Sequence, residues 1–326
     1  MPGQTRPIFR PRERSPVDAR KLTRFATCEQ LLACPVCGES LRLDGTCLAC
    51  SHGHRFDIAR QGYVNLLRGV HREQHYDRTS FEQRRTVFAS GLYAPIAQAL
   101  CEEVERAAAA GADTVGITKA TGAAITPTSP APTSGTGSAL RPLRIVDAGC
   151  GEGYFARTVR HTTGATVCAF DISRDSVQLA AREDVEDGIS WLVADLAAIP
   201  VQTGAADVVL DVFSPAHYGE FRRILAPGGR LIKVVPTANH LREVRELAAG
   251  QLRHRGYSNE RVVEHLEASC TLLSRRTVSS TLELTPEVRD ALVAMTPILF
   301  SVDTATIDWT PLTHATVEAE VLVGTW

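Results

Sequence analysis

Apolar runs near residues 143–148, 166–170, 189–193, 206–212 and 230–235 alternate with stretches whose apolar positions recur at helical spacing, near 153–161, 174–183, 217–225 and 240–249. Strands alternating with helices imply right-handed crossovers and a parallel sheet covered on both faces. Further along, 277–284 and 315–324 alternate apolar with polar side chains, which suits an antiparallel pair at one sheet edge. A helix near 286–295 joins them. The pattern predicts an α/β, doubly wound domain over 143–326.

Upstream the patterning changes. Phe81, Val87, Phe88, Leu92, Ile96, Leu100 and Val104 fall at helical spacing, broken near Gly91 and Pro95, and predict a helical connector over 71–106. From 107 to 142 the chain is Ala, Gly, Thr, Ser and Pro with almost no charge or aromatic residue. Such a segment buries too little surface to offset its ordering entropy, so a flexible insertion is expected. Residues 34–56 read as short strands around cysteines, and 57–70 as a turn and a strand closing them, giving a module over 28–70. The first 27 residues are Arg-rich, with Pro2, Pro7, Pro11 and Pro16 opposing a helix, and are expected to form a disordered basic arm.

The formal net charge is only −2 but unevenly spread: residues 1–85 carry 15 Lys and Arg against 9 Asp and Glu, a balance of +6. The basic front end is the side expected to meet a polyanion. No run approaches the roughly 18 apolar residues of a membrane span, and no secretory signal is apparent, so a cytoplasmic protein without a membrane partner is expected. Four of the nine cysteines lie between Cys34 and Cys50 and the rest are scattered, a usage that points to metal ligation rather than disulfides.

Cys34-x2-Cys37-x12-Cys50-x3-His54 presents two ligands from each of two knuckles, which closes a tetrahedron around zinc. Cys47 and His52 are close enough to compete for a place. No activating carboxylate stands nearby, so a structural site is expected, with folding coupled to metal binding.

The segment from Leu143 to Phe155 is a strand, a glycine turn and a helix start. Gly149, Gly151 and Gly153 leave room for a ligand to approach backbone N–H groups at a helix N-terminus. Asp147 before the glycines and Glu152 among them repel a pyrophosphate and favour an amino or sulfonium group, so S-adenosylmethionine is expected rather than a dinucleotide. Asp171 and Asp195 end the next two strands, placed for ribose hydroxyls and the adenine amine. The fourth strand ends in Asp211-Val212-Phe213-Ser214-Pro215, where Phe213 and Pro215 suit a splayed base and the Ser214 carbonyl its N–H.

Three blocks together, the cysteine ribbon, His54 to Leu67 with its Gly62-Tyr63-Val64-Asn65-Leu66-Leu67, and the glycine turn, resemble the RlmA-type 23S ribosomal RNA (guanine-N1)-methyltransferases. That family includes the tylosin- and mycinamicin-resistance enzymes. The resemblance implies a class I methyltransferase fold behind a zinc ribbon, and Cys34, Cys37, Cys50 and His54 as ligands in preference to Cys47. Through Gly91-Leu92-Tyr93-Ala94-Pro95 and Pro236-x3-His240-Leu241 it implies cofactor roles for Tyr93 and His240. It further implies methylation of guanine N1 in the helix 35 hairpin loop of 23S rRNA, a link to macrolide resistance, and a homodimer clasping the RNA. No proton acceptor is assigned: Asp211 is not reliably matched by an acid in the family.

Overall fold

The structure is a computed structural model and describes residues 17–69, 78–118, 141–186, 188–252 and 256–326. Helix α1 (Ala19–Ala26) leads into a three-stranded antiparallel ribbon of β1 (Arg42–Asp44), β2 (Cys47–Ala49) and β3 (Arg55–Asp57). Strand β4 (Tyr63–Asn65) and helices α2 (Arg78–Ala89) and α3 (Ala94–Thr118) follow. Next come β5 (Arg144–Ala148), α4 (Tyr154–Thr163), β6 (Thr166–Asp171), α5 (Arg174–Glu183), β7 (Ile189–Val193) and β8 (Ala206–Val212). The chain ends with α6 (Tyr218–Ile224), β9 (Leu225–Pro236), α7 (Arg242–Ala248), α8 (Glu260–Ser269), β10 (Thr271–Glu283), α9 (Pro286–Met295) and β11 (His314–Thr325).

Strands β4 to β11 form one sheet in the order β10-β11-β9-β8-β5-β6-β7-β4. All neighbours from β9 to β4 run parallel, and β11 runs antiparallel to both β9 and β10. The order reverses between β5 and β8, so a crevice opens there at the carboxyl edge, where open α/β sheets bind ligands.

Strand periodicity builds a core on each face. Ile145, Val167, Trp191 and Leu210 pack against Leu100, Val159, Val177 and Leu292 on one side. Val146, Phe170, Leu192 and Val209 pack against Phe25, Leu48, Phe221 and Leu266 on the other. Local signals agree with the helices: Ser173 caps α5 by accepting from Ser176 N–H, and Thr285 caps α9 with Pro286 at its first position.

The five parallel strands, the edge pair and α9 stand where the patterning put them, with β10 reaching back to Thr271. Three expectations need correction. The arm over 1–27 is not wholly irregular, because residues 19–26 are helical; 1–16 lie outside the described residues. Asp18 caps that helix, and its Arg24 is buried, donating to the Gly62 carbonyl at 3.0 Å. The expected insertion over 107–142 begins too early, since the Ala-rich stretch continues α3 to Thr118, and 119–140 lie outside the described residues. The connector is interrupted where expected, near Gly91 and Pro95: α2 stops at Ala89 and α3 starts at Ala94, with Pro95 in its first turn, where a proline costs no hydrogen bond. Finally, β4 does not close the ribbon over 28–70. It pairs with β7, Tyr63 opposite Trp191, and only an isolated bridge between Ile58 and Val64 links it back.

One buried ion pair ties the N-terminal helix to the sheet. Arg24 Nη2 lies 3.6 Å from Asp184 Oδ2, with both side chains almost fully buried. The same carboxylate accepts from Ile189 N–H at 3.1 Å and Trp191 Nε1–H at 2.9 Å. Removing one member of a buried pair strands the other's charge, at about 3–5 kcal/mol. Asp184→Ala is therefore expected to lower unfolding free energy by about that much in urea titrations, whereas removing the exposed Glu186 carboxylate changes it by less than about 1 kcal/mol.

Candidate active site and metal centre

Two knuckles build the metal centre. Cys34 N–H donates to the Glu39 carbonyl at 2.7 Å and Gly38 N–H returns to Cys34 O at 2.8 Å; Cys50 N–H donates to the His54 carbonyl at 3.1 Å. The turns bring Cys34, Cys37, Cys50 and His54 together, their ligand atoms all within 4.8 Å of one another. Cys37 Sγ lies 3.7 Å from Cys50 Sγ, and His54 Nδ1 lies 3.3 Å from Cys50 Sγ and 3.6 Å from Cys34 Sγ. Zinc with bonds of about 2.3 Å to sulfur and about 2.0–2.1 Å to nitrogen sets tetrahedral neighbours about 3.5–3.8 Å apart. The four residues fit that ion as they stand. Cys47 turns away to the Asp44 carbonyl at 3.2 Å, and His52 is exposed. His54, rather than Cys47, completes the cluster that could hold the ion, and a closed set of four suits a structural zinc.

At the carboxyl edge of the sheet the loops after β5, β8 and β9 surround a cavity of about 480 Å3. Gly149 and Cys150 N–H groups both donate to the Phe170 carbonyl at 2.9 Å, pinning the glycine turn to β6. A Cβ on Gly149 would lie 2.0 Å from Ser214 Oγ, and one on Gly153 2.4 Å from the Trp191 ring. Gly149 is thus needed for loop packing, and Gly153, outside the cavity lining, for seating α4 on the sheet. Gly151 does line the cavity, and its missing Cβ widens it.

The acids divide into two groups. Asp147 and Glu152 face the cavity and are buried. Burial raises the Asp147 carboxyl to about 8, helped by the nearby Asp171, Asp211 and Glu152 charges, and its Oδ2 has no hydrogen-bond partner. Burial also raises Glu152, against the pull of Arg84. Asp171 and Asp195 stand outside the cavity lining. Asp171 accepts from Gly151 N–H at 2.9 Å with one oxygen and from Ser173 N–H at 2.8 Å with the other, so it shapes the turn. Asp195 accepts from Ala197 N–H at 2.9 Å in the turn after β7.

Aromatic rings form the opposite wall. Tyr93, buried, meets Phe88 edge to face at 4.9 Å and Phe213 at 6.0 Å; Phe213 lies 5.5 Å from the His240 ring. His240 Nδ1 is 3.1 Å from the Glu318 carbonyl, an acceptor only, so Nδ1 carries the proton. Burial lowers this histidine to about 4, so the ring is neutral and Nε2 is left as an acceptor.

Sequence reasoning missed Lys233. Its Nζ donates to Asp211 Oδ2 at 2.6 Å and to the Ser214 carbonyl at 3.2 Å, beneath a Phe213 held at φ 53°. One lone pair of the carbonyl suggested for a base N–H is thus taken. A signal existed: Lys233 and Asp211 are lone charges in otherwise apolar runs, and the two strands place them in register. Arg84, Arg245 and Tyr257 also line the cavity, brought there from distant segments.

The orphaned Asp147 oxygen and the side-chain-free turn suit a ligand carrying a positive amino group, which matches S-adenosylmethionine. The sheet order, this edge crevice and the Cys3His ribbon together define an S-adenosylmethionine-dependent methyltransferase of the class I, Rossmann-like kind.

Comparison with known proteins narrows the class. Residues 32–73 match the family described as the N-terminal zinc ribbon of RlmA, and 145–229 a methyltransferase domain. A 23S rRNA (guanine(748)-N1)-methyltransferase of Streptomyces fradiae is 34% identical over 82% of this chain and 84% of its own length. Putative 23S rRNA (guanine-N1)-methyltransferases of Bacillus subtilis strain 168 and Micromonospora griseorubida are 29% and 33% identical. They cover 90% and 84% of this chain, and 96% and 88% of their own lengths. The chain belongs to the family of 23S rRNA (guanine-N1)-methyltransferases.

Three outcomes are expected. Cys34→Ala loses the bound zinc and lowers the melting temperature as EDTA does, while Cys47→Ala keeps one equivalent by atomic absorption. For Asp147 the folded-state pKa is raised from 3.8 to about 8, so its contribution to stability is present below pH 4 and is lost as pH rises towards 8. Asp147→Asn cannot ionise, and its melting temperature should fall less between pH 5 and 8 than the wild type's. The same variant should bind S-adenosylmethionine about 10- to 100-fold more weakly by calorimetry, the scale of a charged hydrogen bond.

Proposed function

We propose that this chain transfers the methyl group of S-adenosylmethionine to N1 of a guanine in 23S rRNA. The observation that carries the proposal is a single cavity lined both by buried acids and by aromatic rings. When bound, the cofactor supplies an activated methyl on a sulfonium, so positioning accounts for most of the acceleration. Asp147 and Glu152 would hold the amino-acid end, Gly149 and Gly151 would admit it while Gly153 seats the helix that follows, and Asp171 and Asp195 would serve the ribose and adenine by their remaining lone pairs. Tyr93 and His240 close the wall beside the methyl. Phe213 is partly exposed, at 36%, and stacks the acceptor base.

The acceptor lies, on this reading, in the hairpin loop of helix 35, whose methylation contributes to macrolide resistance. The name of the Streptomyces fradiae relative, which specifies guanine 748, supports methylation at one defined position. We place the enzyme in the cytoplasm, where two copies clasp the RNA. Among the described residues no helix is long and apolar enough to cross a membrane.

Primer extension on 23S rRNA from cells with and without the gene tests this. A reverse-transcriptase stop in the helix 35 loop should vanish with the gene, because an N1-methyl blocks Watson–Crick pairing. An unchanged pattern would sink the proposal.

A further inference from the structure

Arg245 stands on α7, beyond the end of β9, and lines the cavity. Its guanidinium lies 5.0 Å from the centre of the Tyr257 ring. Among the described residues its side chain makes one hydrogen bond, a long one from Nη1 to the Ala238 carbonyl at 3.4 Å, and its Nε–H is buried with no acceptor. Among the described residues it has no carboxylate partner. The other cavity cations differ. Lys233 is neutralised by Asp211 at 2.6 Å, and Arg84 lies beside Gly151, where its charge acts on Glu152 and Asp171. A half-buried guanidinium with idle donors needs an acceptor, and the cavity is the side from which one can arrive.

Guanine presents O6 and N7 as adjacent acceptors, which a guanidinium fork matches. Contact along that edge leaves N1 clear. Methylation at N1 also requires the N1–H proton to leave, and the resulting negative charge is shared between N1 and O6. We propose that Arg245 is a catalytic residue that reads the acceptor guanine through O6 and N7 and stabilises the N1-deprotonated base. This rests on the function proposed above.

The balance is simple. The N1 proton passes to water, the N1 electron pair forms the bond to the methyl carbon, and the carbon–sulfur pair returns to sulfur, which becomes a neutral thioether. Arg245 keeps its own protons throughout and acts by charge and hydrogen bonds. Tyr257 stacks against the fork from one side, and the other titratable groups around the cavity among the described residues are the neutral His240, Lys233 with its partner Asp211, Arg84, Tyr93, Cys150 and the acids Asp147 and Glu152.

The test uses the full chain, with a 23S rRNA fragment containing helix 35 as substrate. Arg245→Ala is expected to bind S-adenosylmethionine within about threefold of wild type, which also reports correct folding, while kcat at neutral pH falls about 100-fold, the scale of losing one charge-stabilising donor. The rising limb of its kcat–pH profile should move to higher pH, and added guanidinium ion should restore part of the rate. Arg245→Lys, which keeps the charge without the fork, should fall between the two. RNA with 7-deazaguanine at the acceptor position should lose affinity for wild type but not for Arg245→Ala. A kcat for Arg245→Ala near wild type, or a loss equal at every pH and untouched by guanidinium, would overturn the assignment while the methyltransferase reading stands. Absence of N1-methylation by the wild-type enzyme would instead overturn both.

Discussion

The site depends on how closely two loops pass. The turn after β5 runs against the loop after β8 with no room for a side chain, since a Cβ on Gly149 would sit 2.0 Å from Ser214 Oγ. That contact sets the acid floor at a fixed distance from the aromatic wall. Phe213 takes a left-handed conformation there, which costs a residue other than glycine about 1–3 kcal/mol. The surroundings over-determine it: Tyr93 and His240 flank the ring, and Lys233 holds the next carbonyl while paired to Asp211 one strand away. A strained residue fixed from three sides is a preformed surface for a base.

Buried carboxylates meet different fates in this chain, and the contrast separates structure from function. Asp184 is satisfied by Arg24, two backbone N–H groups and the Trp191 indole. Asp211 has Lys233. Asp147 faces a cavity with one oxygen unpartnered, and the charges that act on it, Asp171, Asp211 and Glu152, are also negative. Evolution could remove this cost with an apolar residue of similar size. A ligand bearing positive charge explains why the acid stands there, since such a charge offsets the repulsion among the carboxylates.

What the sequence disclosed follows from range. The glycine turn with its flanking acids was legible because strand, turn and helix are contiguous, and the metal centre because four ligands fall within 21 positions, from Cys34 to His54. Helix α1 was hidden: prolines and arginines read as a disordered arm, while its order comes from Arg24 meeting Asp184, 160 residues away. Strand β4 looked like part of the ribbon because its partner, β7, is also remote. Asp171 and Asp195 stood at the expected strand ends, but only the folded chain shows their oxygens already engaged by backbone. Arg245 gave no sequence signal, since one arginine on a charged helix resembles any solvated one.

The ribbon's place in the core gives its zinc a longer reach than a tethered finger would have. Leu31, Leu32, Leu41 and Leu48 pack in the same cluster as Val146, Phe170 and Leu192 of the central strands. Backbone hydrogen bonds join the two parts directly: Ala33 N–H donates to Pro200 O at 3.0 Å and Gln202 N–H to Leu31 O at 2.8 Å. Both lie just past the turn that carries Asp195. Farther along, Tyr63 of β4 accepts from Arg174 Nε at 2.9 Å, fixing the start of α5 immediately after Asp171. Loss of the metal would therefore loosen the segments that follow β6 and β7 at the cofactor edge, although no ligand atom of the zinc lines the cavity. A metal that performs no chemistry can still set the geometry in which the chemistry occurs, because the sheet it braces carries the site along one edge.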